Sequence, residues 1–347
     1  MNGPSRSLFL FPGGKAMAKI GEKKAFLLHK SLRYALVIFI ILSVNFLLPR
    51  MMPGDPIQTM VHQNRYVDDS TIQALRDRYG LNDPLHVQYV KYFYMLAHLD
   101  LGFSLVTHKN VADMIGEKLF WTLLIIFPSI VIGNLLALAM GTFAGYWHGG
   151  KIDWMLTAVN LIIFATPTFL LGMLFLTFFG FQLRWFPLSN LSTGGISGME
   201  YYLDTAWHMC LPIVVLTLYE LSYTFFIVKN SIVQVRNEYF VFVAGSKGLT
   251  ERSIMFRHVL RCILPQFISW IALNISYMVT GALLIEVVFS LPGMGSLIYE
   301  AVMKRDYPVL QGAFLVMTIF VITMNFLAEM LYGIVDPRVG DNKSATT

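Results

Sequence analysis

The amino-acid sequence predicts an all-α polytopic membrane protein with about six transmembrane helices. Hydrophobic residues make up 56% of the 347 residues and charged residues 14%, whereas a soluble protein usually carries about 25% charged residues. The mean hydropathy of +0.59 agrees with this imbalance. A soluble fold could not hide so much apolar surface, so the bilayer is the expected solvent for the chain.

Six apolar stretches, separated by charged or proline-containing segments, give the predicted spans. They lie at residues 32–49, within 118–151, within 153–184, and at residues 209–228, 267–289 and 310–335. The first stretch has the basic approach and apolar centre of a signal peptide, but it ends in Pro49-Arg50-Met51-Met52-Pro53 without a small-residue cleavage site. We therefore interpret it as a retained helix.

Basic residues predict the orientation of the spans, because cytoplasmic loops are enriched in Lys and Arg. One group of basic residues lies before or at the first span: Arg6, Lys15, Lys19, Lys23, Lys24, Lys30 and Arg33. A second group lies between the fourth and fifth spans, which six spans place on the same side of the membrane as the N-terminus: Lys229, Arg236, Lys247, Arg252, Arg257 and Arg261. The loop before the fourth span holds only Arg184. Both termini are therefore expected in the cytoplasm, and the formal charge of +5 is attributed to contact with anionic membrane lipid and not to nucleic acid.

The predicted organisation has three parts. Residues 1–31 form a cytoplasmic N-terminal extension, residues 32–336 the membrane domain and residues 337–347 a cytoplasmic tail. Within the membrane domain, residues 51–118 are expected to form an extracytoplasmic lobe with helical patterns at 70–79 and 84–96, and residues 237–265 a cytoplasmic loop. No internal repeat stands out, which disfavours a secondary transporter built from inverted repeats.

Motifs of catalysis, metal binding and nucleotide binding do not emerge from the sequence. There is no H-E-x-x-H or G-x-S-x-G, and Gly13-Gly14-Lys15-Ala16 lacks the rest of a phosphate loop. The two cysteines, Cys210 and Cys262, are far apart, and the eight histidines are scattered. The sequence therefore predicts no catalytic, cofactor or metal site, and a membrane-bound enzyme is a poor interpretation.

The loop at residues 237–265 is too long and too patterned for a simple connector. Small residues would let a helix end approach another protein closely, and Thr250 could cap a second helix that carries Arg252, Arg257 and His258. The small residues are Ala244, Gly245, Ser246 and Gly248. This pattern suits a short helix that lies parallel to the membrane and docks on a cytoplasmic partner. A surface hairpin with positive charges on the inner side is the alternative that the residues leave open.

Glu220 is an ionisable residue in the middle of the fourth span, where a charge is costly and indicates function by default. One interpretation places it on a translocation path. The other gives it a structural partner, such as Tyr223, Lys229 or a helix of another subunit. Glu286 and Glu329 lie closer to span ends, where capping or an ion pair is expected.

Short motifs follow one another in order between about residue 32 and residue 338. They are Pro53-Gly54-Asp55-Pro56, Tyr79-Gly80-Leu81 with Pro84, Leu99-Asp100-Leu101-Gly102-Phe103-Ser104, Pro187 with Ser189, His208 to Pro212, Ser246-Lys247-Gly248-Leu249-Thr250, Arg257-His258, Leu260-Arg261, Glu286 with Phe289, Leu291-Pro292-Gly293-Met294-Gly295, Arg305-Asp306-Tyr307-Pro308, Gln311-Gly312, and Tyr332 before Asp336-Pro337-Arg338. Each motif is weak alone, but their order and spacing are specific. With them the chain resembles the permease subunits of the dipeptide, oligopeptide and nickel branch of ABC importers.

The resemblance implies a type I ABC importer permease-like fold in the bacterial or archaeal cytoplasmic (inner) membrane. It implies a subunit that forms half of a translocation path, by alternating access, for peptides or a related small solute such as an opine or metal chelate or a nickel complex. The expected partners are a homologous second permease subunit, one or two ATPase subunits that bind ATP and Mg, and an extracytoplasmic solute-binding protein. This chain would then be a non-catalytic transport subunit without a cofactor of its own.

The resemblance also implies that the loop is the family's ATPase-coupling motif, formed by Ala244, Gly245, Ser246, Lys247, Gly248, Arg257 and His258. Ala244 and Gly248 match its small-residue and glycine positions, while Phe242 takes the acidic position. Glu220 is a departure, since relatives tend to have an apolar residue or proline there. The alternative function is a stand-alone secondary transporter or channel, which would predict several paired charges within the spans and internal symmetry.

Overall fold

The computed structural model describes residues 36–51, 73, 76–77 and 80–335, without the side chains of residues 272, 273, 276 and 328–335. The predictions for residues 1–31, 70–79 and 337–347 lie wholly or largely outside this part of the chain, as does the side chain of Glu329. The helices are α1 (Leu36–Met51), α2 (Leu85–Ala97), α3 (Val111–Tyr146), α4 (Lys151–Ala165), α5 (Thr168–Phe175, continued by the π-helical turns Leu176–Gln182), α6 (Met199–Arg236), α7 (Tyr239–Ser246), α8 (Glu251–Ser253, continued by the π-helical turns Ile254–Val259), α9 (Leu260–Val288), α10 (Met294–Lys304) and α11 (Tyr307–Val335).

The chain divides into two units, Met1–Pro53 and Gly54–Thr347. The described part of the first unit is the short apolar helix α1. Near its end the Arg50 guanidinium donates to the carbonyl oxygen of Phe46 at 2.9 Å and lies over the Phe46 ring at 3.7 Å. These contacts hold the cation against its own helix.

All six predicted spans coincide with helices of the described residues. Three helices, α3, α6 and the described part of α11, are long and apolar enough to cross a membrane, and α4 with α5 makes a fourth if the pair is one broken span. The other two predicted spans fall on α1 and on the 29-residue helix α9. The prediction of an all-α polytopic membrane protein is confirmed.

The third predicted span is not one straight helix. Its two halves, α4 and α5, are bent by 102° at the junction. Thr166 is extended there, with φ −91° and ψ 124°, because the ring of Pro167 disfavours a helical conformation in the residue before it. Proline also lacks the N–H that a continuous helix would use.

Helices α3 and α6 are packed at backbone contact. Every fourth position of α3 carries a small residue: Gly133, Ala137, Gly141 and Gly145. A Cβ atom on Gly141 would lie 2.8 Å from Cβ of Val228, and one on Gly145 would lie 2.6 Å from the carbonyl oxygen of Lys229. Small residues at this spacing let membrane helices approach closely, so this pair forms the centre around which α9 and α11 pack.

Glu286, near the end of α9, caps the start of α10. Its Oε2 accepts from the backbone N–H of Gly295 at 2.6 Å, and its Oε1 accepts from Thr122 Oγ1 at 2.6 Å. Thr122 Oγ1 in turn accepts from the backbone N–H of Met294 at 2.8 Å. The predicted capping role of Glu286 is confirmed, since these donors are among the unpaired N–H groups of a helix start. We name this end of the second unit the α10 end.

Candidate functional site

The segment at residues 237–265 folds as a helical hairpin, whose first arm is α7 and whose second arm begins at α8. Gly248 closes the first arm in the left-handed region, at φ +79°. Its N–H donates to the carbonyl of Gly245 at 2.9 Å, and the N–H of Leu249 donates to that of Ala244 at 3.4 Å. This pair of bonds is a Schellman motif, which explains the glycine by its backbone conformation.

Thr250 caps the second arm, as predicted. Its Oγ1 accepts from the backbone N–H of Ser253 at 3.4 Å, and its carbonyl accepts from the N–H of Ile254 at 3.0 Å. The second arm is not a separate helix, because α8 continues through its π-helical turns directly into α9. The hairpin is therefore an extension of the fifth predicted span.

The predicted coupling residues occupy different environments on the hairpin. Gly245, Ser246, Lys247 and Gly248 are exposed, as is Arg257 on the second arm, and His258 is half-buried. Ala244 is only 6% exposed. Its small side chain is therefore used for packing within this chain, which the sequence pattern did not reveal.

Ala244 belongs to a buried apolar cluster that we name the hairpin core. Its members come from α3, from α6, from both arms of the hairpin and from the first turns of α9: Tyr146, Val228, Ile232, Val241, Ala244, Ile254, Met255, Val259, Ile263 and Phe267. Interiors packed in this way have low compressibility and transmit displacement. The hairpin is thus fixed to three spans by continuous packing.

An open groove of about 750 Å³ runs along the hairpin, lined among others by Arg236, Tyr239, Phe242, Gly245 and Glu251. Tyr239 is 77% exposed and Phe242 is 71% exposed. Their rings are stacked with centroids 6.3 Å apart. Large aromatic side chains bury about 150–250 Å² each on contact with a partner, so this face has the composition of a docking surface.

A polar contact fastens the second arm to the end of α3. The hydroxyl of Tyr146 donates to Glu251, and the Arg236 guanidinium lies 5.0 Å from the centroid of the Tyr146 ring. Tyr146 is 2% exposed. The last residues of α3 and α6 therefore meet the hairpin at one end of the bundle, which we name the hairpin end. Sequence reasoning missed Tyr146 and Glu251, since neither belongs to a recognisable motif.

Glu220, on α6, is 1% exposed and contacts side chains of α3 and α9. Asn134 Nδ2 donates to its Oε1 at 2.7 Å, and Asn274 Nδ2 lies 2.7 Å from each of its two oxygens. Thr224 Oγ1 donates to Oε1 at 3.3 Å. We name Asn134, Glu220, Thr224 and Asn274 the Glu220 clamp. The partners proposed from sequence, Tyr223 and Lys229, are not among its hydrogen-bond partners.

Lys229 instead pairs with Asp153, which links α6 to α4 close to the hairpin end. Both are buried, at 8% and 5% exposure. Lys229 Nζ also donates to Thr157 Oγ1 at 2.7 Å, while Asp153 accepts from the backbone N–H of Gly149 at 2.9 Å and faces His148 Nδ1 at 2.8 Å. A buried pair with its remaining lone pairs satisfied is the geometry in which such charges are tolerated.

Within the described residues, no group of three or more His, Cys, Asp or Glu side chains could hold a metal ion. Cys210 and Cys262 are free thiols there, the first half-buried and the second exposed. What the described geometry offers is an exposed aromatic face joined by packing to long apolar helices, which defines the class as helical membrane proteins.

Comparison with known proteins gives the family. The family described as "binding-protein-dependent transport system inner membrane component" matches residues 133–341, and the corresponding N-terminal membrane component matches residues 24–125. The chain belongs to this family. It is therefore the permease subunit of an ABC importer and a multi-pass protein of the inner membrane, and the alternative of a stand-alone secondary transporter or channel is not supported.

Individual relatives agree with this assignment. The oligopeptide transport system permease protein AppB of Bacillus subtilis is 28% identical, over 91% of this chain and 99% of its own length. A putative peptide permease protein of Brucella suis is 30% identical, over 85% of this chain and 92% of its own length. The MetNI methionine ABC transporter in inward-facing conformations contains a chain that matches 65% of this one and 97% of its own length, with 16% identity and a TM-score of 0.54, which shows a shared fold.

Proposed function

We propose that this chain forms half of a peptide translocation path and that its hairpin receives the ATPase subunit which powers transport. The observation that carries the proposal is that the hairpin has one exposed face and one face packed against the membrane helices. Its exposed face holds Tyr239, Phe242, Gly245 and Ser246, and its buried face belongs to the hairpin core. Peptides are the proposed solute because the relatives are named as peptide and oligopeptide permeases.

The docking surface combines features of an interface centre and rim. Tyr239 and Phe242 supply aromatic area beside Gly245, where an added Cβ would meet its nearest neighbour, Ile254 Cδ1, at 4.0 Å. Aromatic residues are enriched at interface centres, whereas charges at the rim act more on specificity and association rate. Lys247, exposed beside this face, suits the rim of such a contact.

The mechanical part of the proposal follows from chain continuity. A partner that displaces the hairpin also displaces α9, because α8 continues into α9 without a loop between them. It also displaces the ends of α3 and α6 through the hairpin core. Small shifts at such a site are amplified into rigid-body motion of packed helices. Alternating access would then arise when two permease subunits tilt against each other.

The proposal includes partners and orientation. ATP and Mg would be bound by one or two separate ATPase subunits, a homologous permease would complete the path, and an extracytoplasmic solute-binding protein would deliver the solute. The hairpin end would face the cytoplasm, together with both termini, as the basic residues predict. The α10 end would face outside. The coupling region would be formed by Ala244, Gly245, Ser246, Lys247, Gly248, Arg257 and His258. Ala244 would contribute by packing in the hairpin core and not by contact with the ATPase subunit.

The experiment compares Ser246→Trp with Lys151→Trp in the complete transporter reconstituted in liposomes. Ser246 is exposed on α7 and lines the groove, whereas Lys151 is exposed and does not line it. We expect Ser246→Trp to block docking, so that the ATPase subunit no longer co-purifies and uptake of radiolabelled trialanine and pentaalanine is lost. Lys151→Trp should retain both.

Two outcomes would contradict the proposal. If Ser246→Trp retains the ATPase subunit and wild-type uptake, the hairpin is not the docking site. The wild-type complex could instead hydrolyse ATP and take up neither peptide, while a nickel complex or an opine-type chelate enters. The proposed docking site would then be retained, and the proposal of peptides as the solute would be wrong.

A further inference from the structure

We infer that Glu220 is a positioning residue which fastens α9 to the α3–α6 pair at mid-span, so that the three helices move together when the hairpin is displaced. This inference rests on the proposed docking function of the hairpin. It assigns Glu220 a role in transmission and not in contact with the solute. The carboxylate is closed off from the surface of this chain, which agrees with that assignment.

The clamp draws on all three helices. Asn134 stands on α3, Glu220 and Thr224 on α6, and Asn274 on α9, and all are buried to 4% exposure or less. Both carboxylate oxygens are used, since Asn274 reaches both and Asn134 reaches Oε1. None of the ion pairs in the described part of the chain includes Glu220. Its bonds are therefore entirely interhelical or within α6.

A second contact between α6 and α9 supports the clamp. Trp270 Nε1 donates to Thr224 Oγ1 at 3.3 Å, and the Trp270 ring is stacked on Tyr223 with centroids 5.4 Å apart. Trp270 precedes Asn274 by one helical turn on α9. The two contacts together fix the rotation of α9 about its own axis as well as its distance from α6.

The position of the clamp along α9 shows why transmission needs it. The π-helical turns Ile254–Val259 lie in the second arm of the hairpin, and Pro265 lies at the end of that arm, inside α9; both precede Asn274 in the chain. Helices bend at π-helical turns and at prolines. Asn274 lies 14 residues beyond Leu260, about 20 Å along the axis. Without the clamp, displacement of the hairpin could be absorbed by bending at these points, and the outer half of α9 would stay in place.

The experiment measures transmission without a solute. Cys210 and Cys262 are replaced by serine, and a reporter cysteine is introduced as Ser290→Cys, an exposed position just beyond α9. The complete complex in nanodiscs is labelled with a maleimide, with ATP and vanadate or without nucleotide. The variants are Glu220→Leu, Asn274→Leu and Glu220→Gln, and ATP hydrolysis is measured in parallel. Ser222→Ala is the matched control, because Ser222 is buried on α6 and its hydroxyl donates to the carbonyl of Tyr219 in the same helix.

We expect the nucleotide-dependent change in labelling rate to fall about tenfold in Glu220→Leu and Asn274→Leu, within the usual range of coupling between sites. ATP hydrolysis should persist. Glu220→Gln should restore most of the change, because an amide oxygen in the place of Oε1 still accepts from Asn134 and Asn274. Ser222→Ala should behave as wild type.

Several results would overturn the inference. One is a wild-type change in labelling rate in either leucine variant, and another is an equal loss in Glu220→Gln and Glu220→Leu. If neither leucine variant assembles, the clamp serves folding alone, which also overturns it. Failure of the proposed docking function is recognised separately, because the ATPase subunit would then not join even the wild-type complex.

Discussion

Ser104 Oγ lies 2.5 Å from Asp306 Oδ2 and joins two segments that are 202 positions apart in the chain. Asp306 also accepts from the backbone N–H of Leu105 at 3.1 Å. Ser104 and Asp306 are 0% and 4% exposed. The carbonyl of Asp306 accepts from the N–H of Leu310 at 3.0 Å, so the same residue starts α11. Two of the short motifs in the sequence are therefore halves of one buried contact at the α10 end.

Asp306→Ala should destabilise the protein by about 1–3 kcal/mol, because Ser104 and the N–H of Leu105 would lose a buried acceptor. Thermal unfolding in detergent, followed by tryptophan fluorescence, measures the change. Asp100→Ala is the control, since Asp100 is exposed and its side chain accepts from the N–H of Gly102 at 2.9 Å in the same turn. Equal melting temperatures for the two variants would show that the contact does not contribute.

The close approach of α3 and α6 predicts a contrast between two glycines of α3. Gly141→Ala should cost about 1–3 kcal/mol through overpacking against Val228. Gly116→Ala should be neutral or slightly stabilising, because no atom lies within 4 Å of the added Cβ and alanine favours a helix. The same unfolding measurement separates them. A stabilised Gly141→Ala protein would mean that α3 and α6 can separate at no cost.

The spans could be predicted from the sequence because lipid allows few alternatives to apolar helices. The break in the third span was missed, although Pro167 was the signal for it. The packing of α3 on α6 also left a signal, in the small residues from Gly133 to Gly145. Both features depend on the positions of proline and of small residues, which a prediction from hydropathy alone does not use.

The partners of Glu220 could not be predicted from the sequence. Asn134 and Asn274 lie 86 and 54 positions away from it, and only the packing of three helices brings them together. The hairpin shows a similar limit. Its position and the cap at Thr250 followed from residue types, but the sequence did not show that Ala244 faces inward while its neighbour Gly245 faces out.

The conformation of Gly248 predicts a local effect in the hairpin. Gly248→Ala should cost about 1–2 kcal/mol, since a non-glycine residue is strained in the left-handed region. Hydrogen exchange of the α7 amides should then be about tenfold faster. Gly245→Ala is the matched control, because Gly245 lies inside α7 and its added Cβ makes an ordinary contact. Unchanged exchange in Gly248→Ala would argue against the Schellman turn.

The Asp153–Lys229 pair predicts a large penalty for removing one partner. Lys229→Met should cost about 3 kcal/mol by leaving a buried carboxylate without its main cation. The double variant Lys229→Met with Asp153→Leu should recover much of that loss. Thermal unfolding of the wild type, both single variants and the double variant forms a complete cycle. Strictly additive effects would show that the two side chains do not stabilise each other.

The two ends of the bundle predict where reagents can reach the chain. Helices α3 and α6 both finish at the hairpin end, so residues before their starts lie toward the α10 end. With basic residues directing the hairpin end to the cytoplasm, cysteines at Ser192 and Lys304 should react with a membrane-impermeant maleimide in intact cells. A cysteine at Ser246 should react only after permeabilisation, in cells without the ATPase subunit that would otherwise cover this position.

The background for this labelling carries Cys210→Ser and Cys262→Ser, and each reporter is tested alone. Ser246 is the exposed control, whose reactivity in permeabilised cells shows that the position is accessible once the barrier is removed. Labelling at Ser246 in intact cells, with Ser192 and Lys304 silent, would reverse the orientation. The docking surface would then face away from cytoplasmic ATP, and the hairpin could not receive an ATPase subunit.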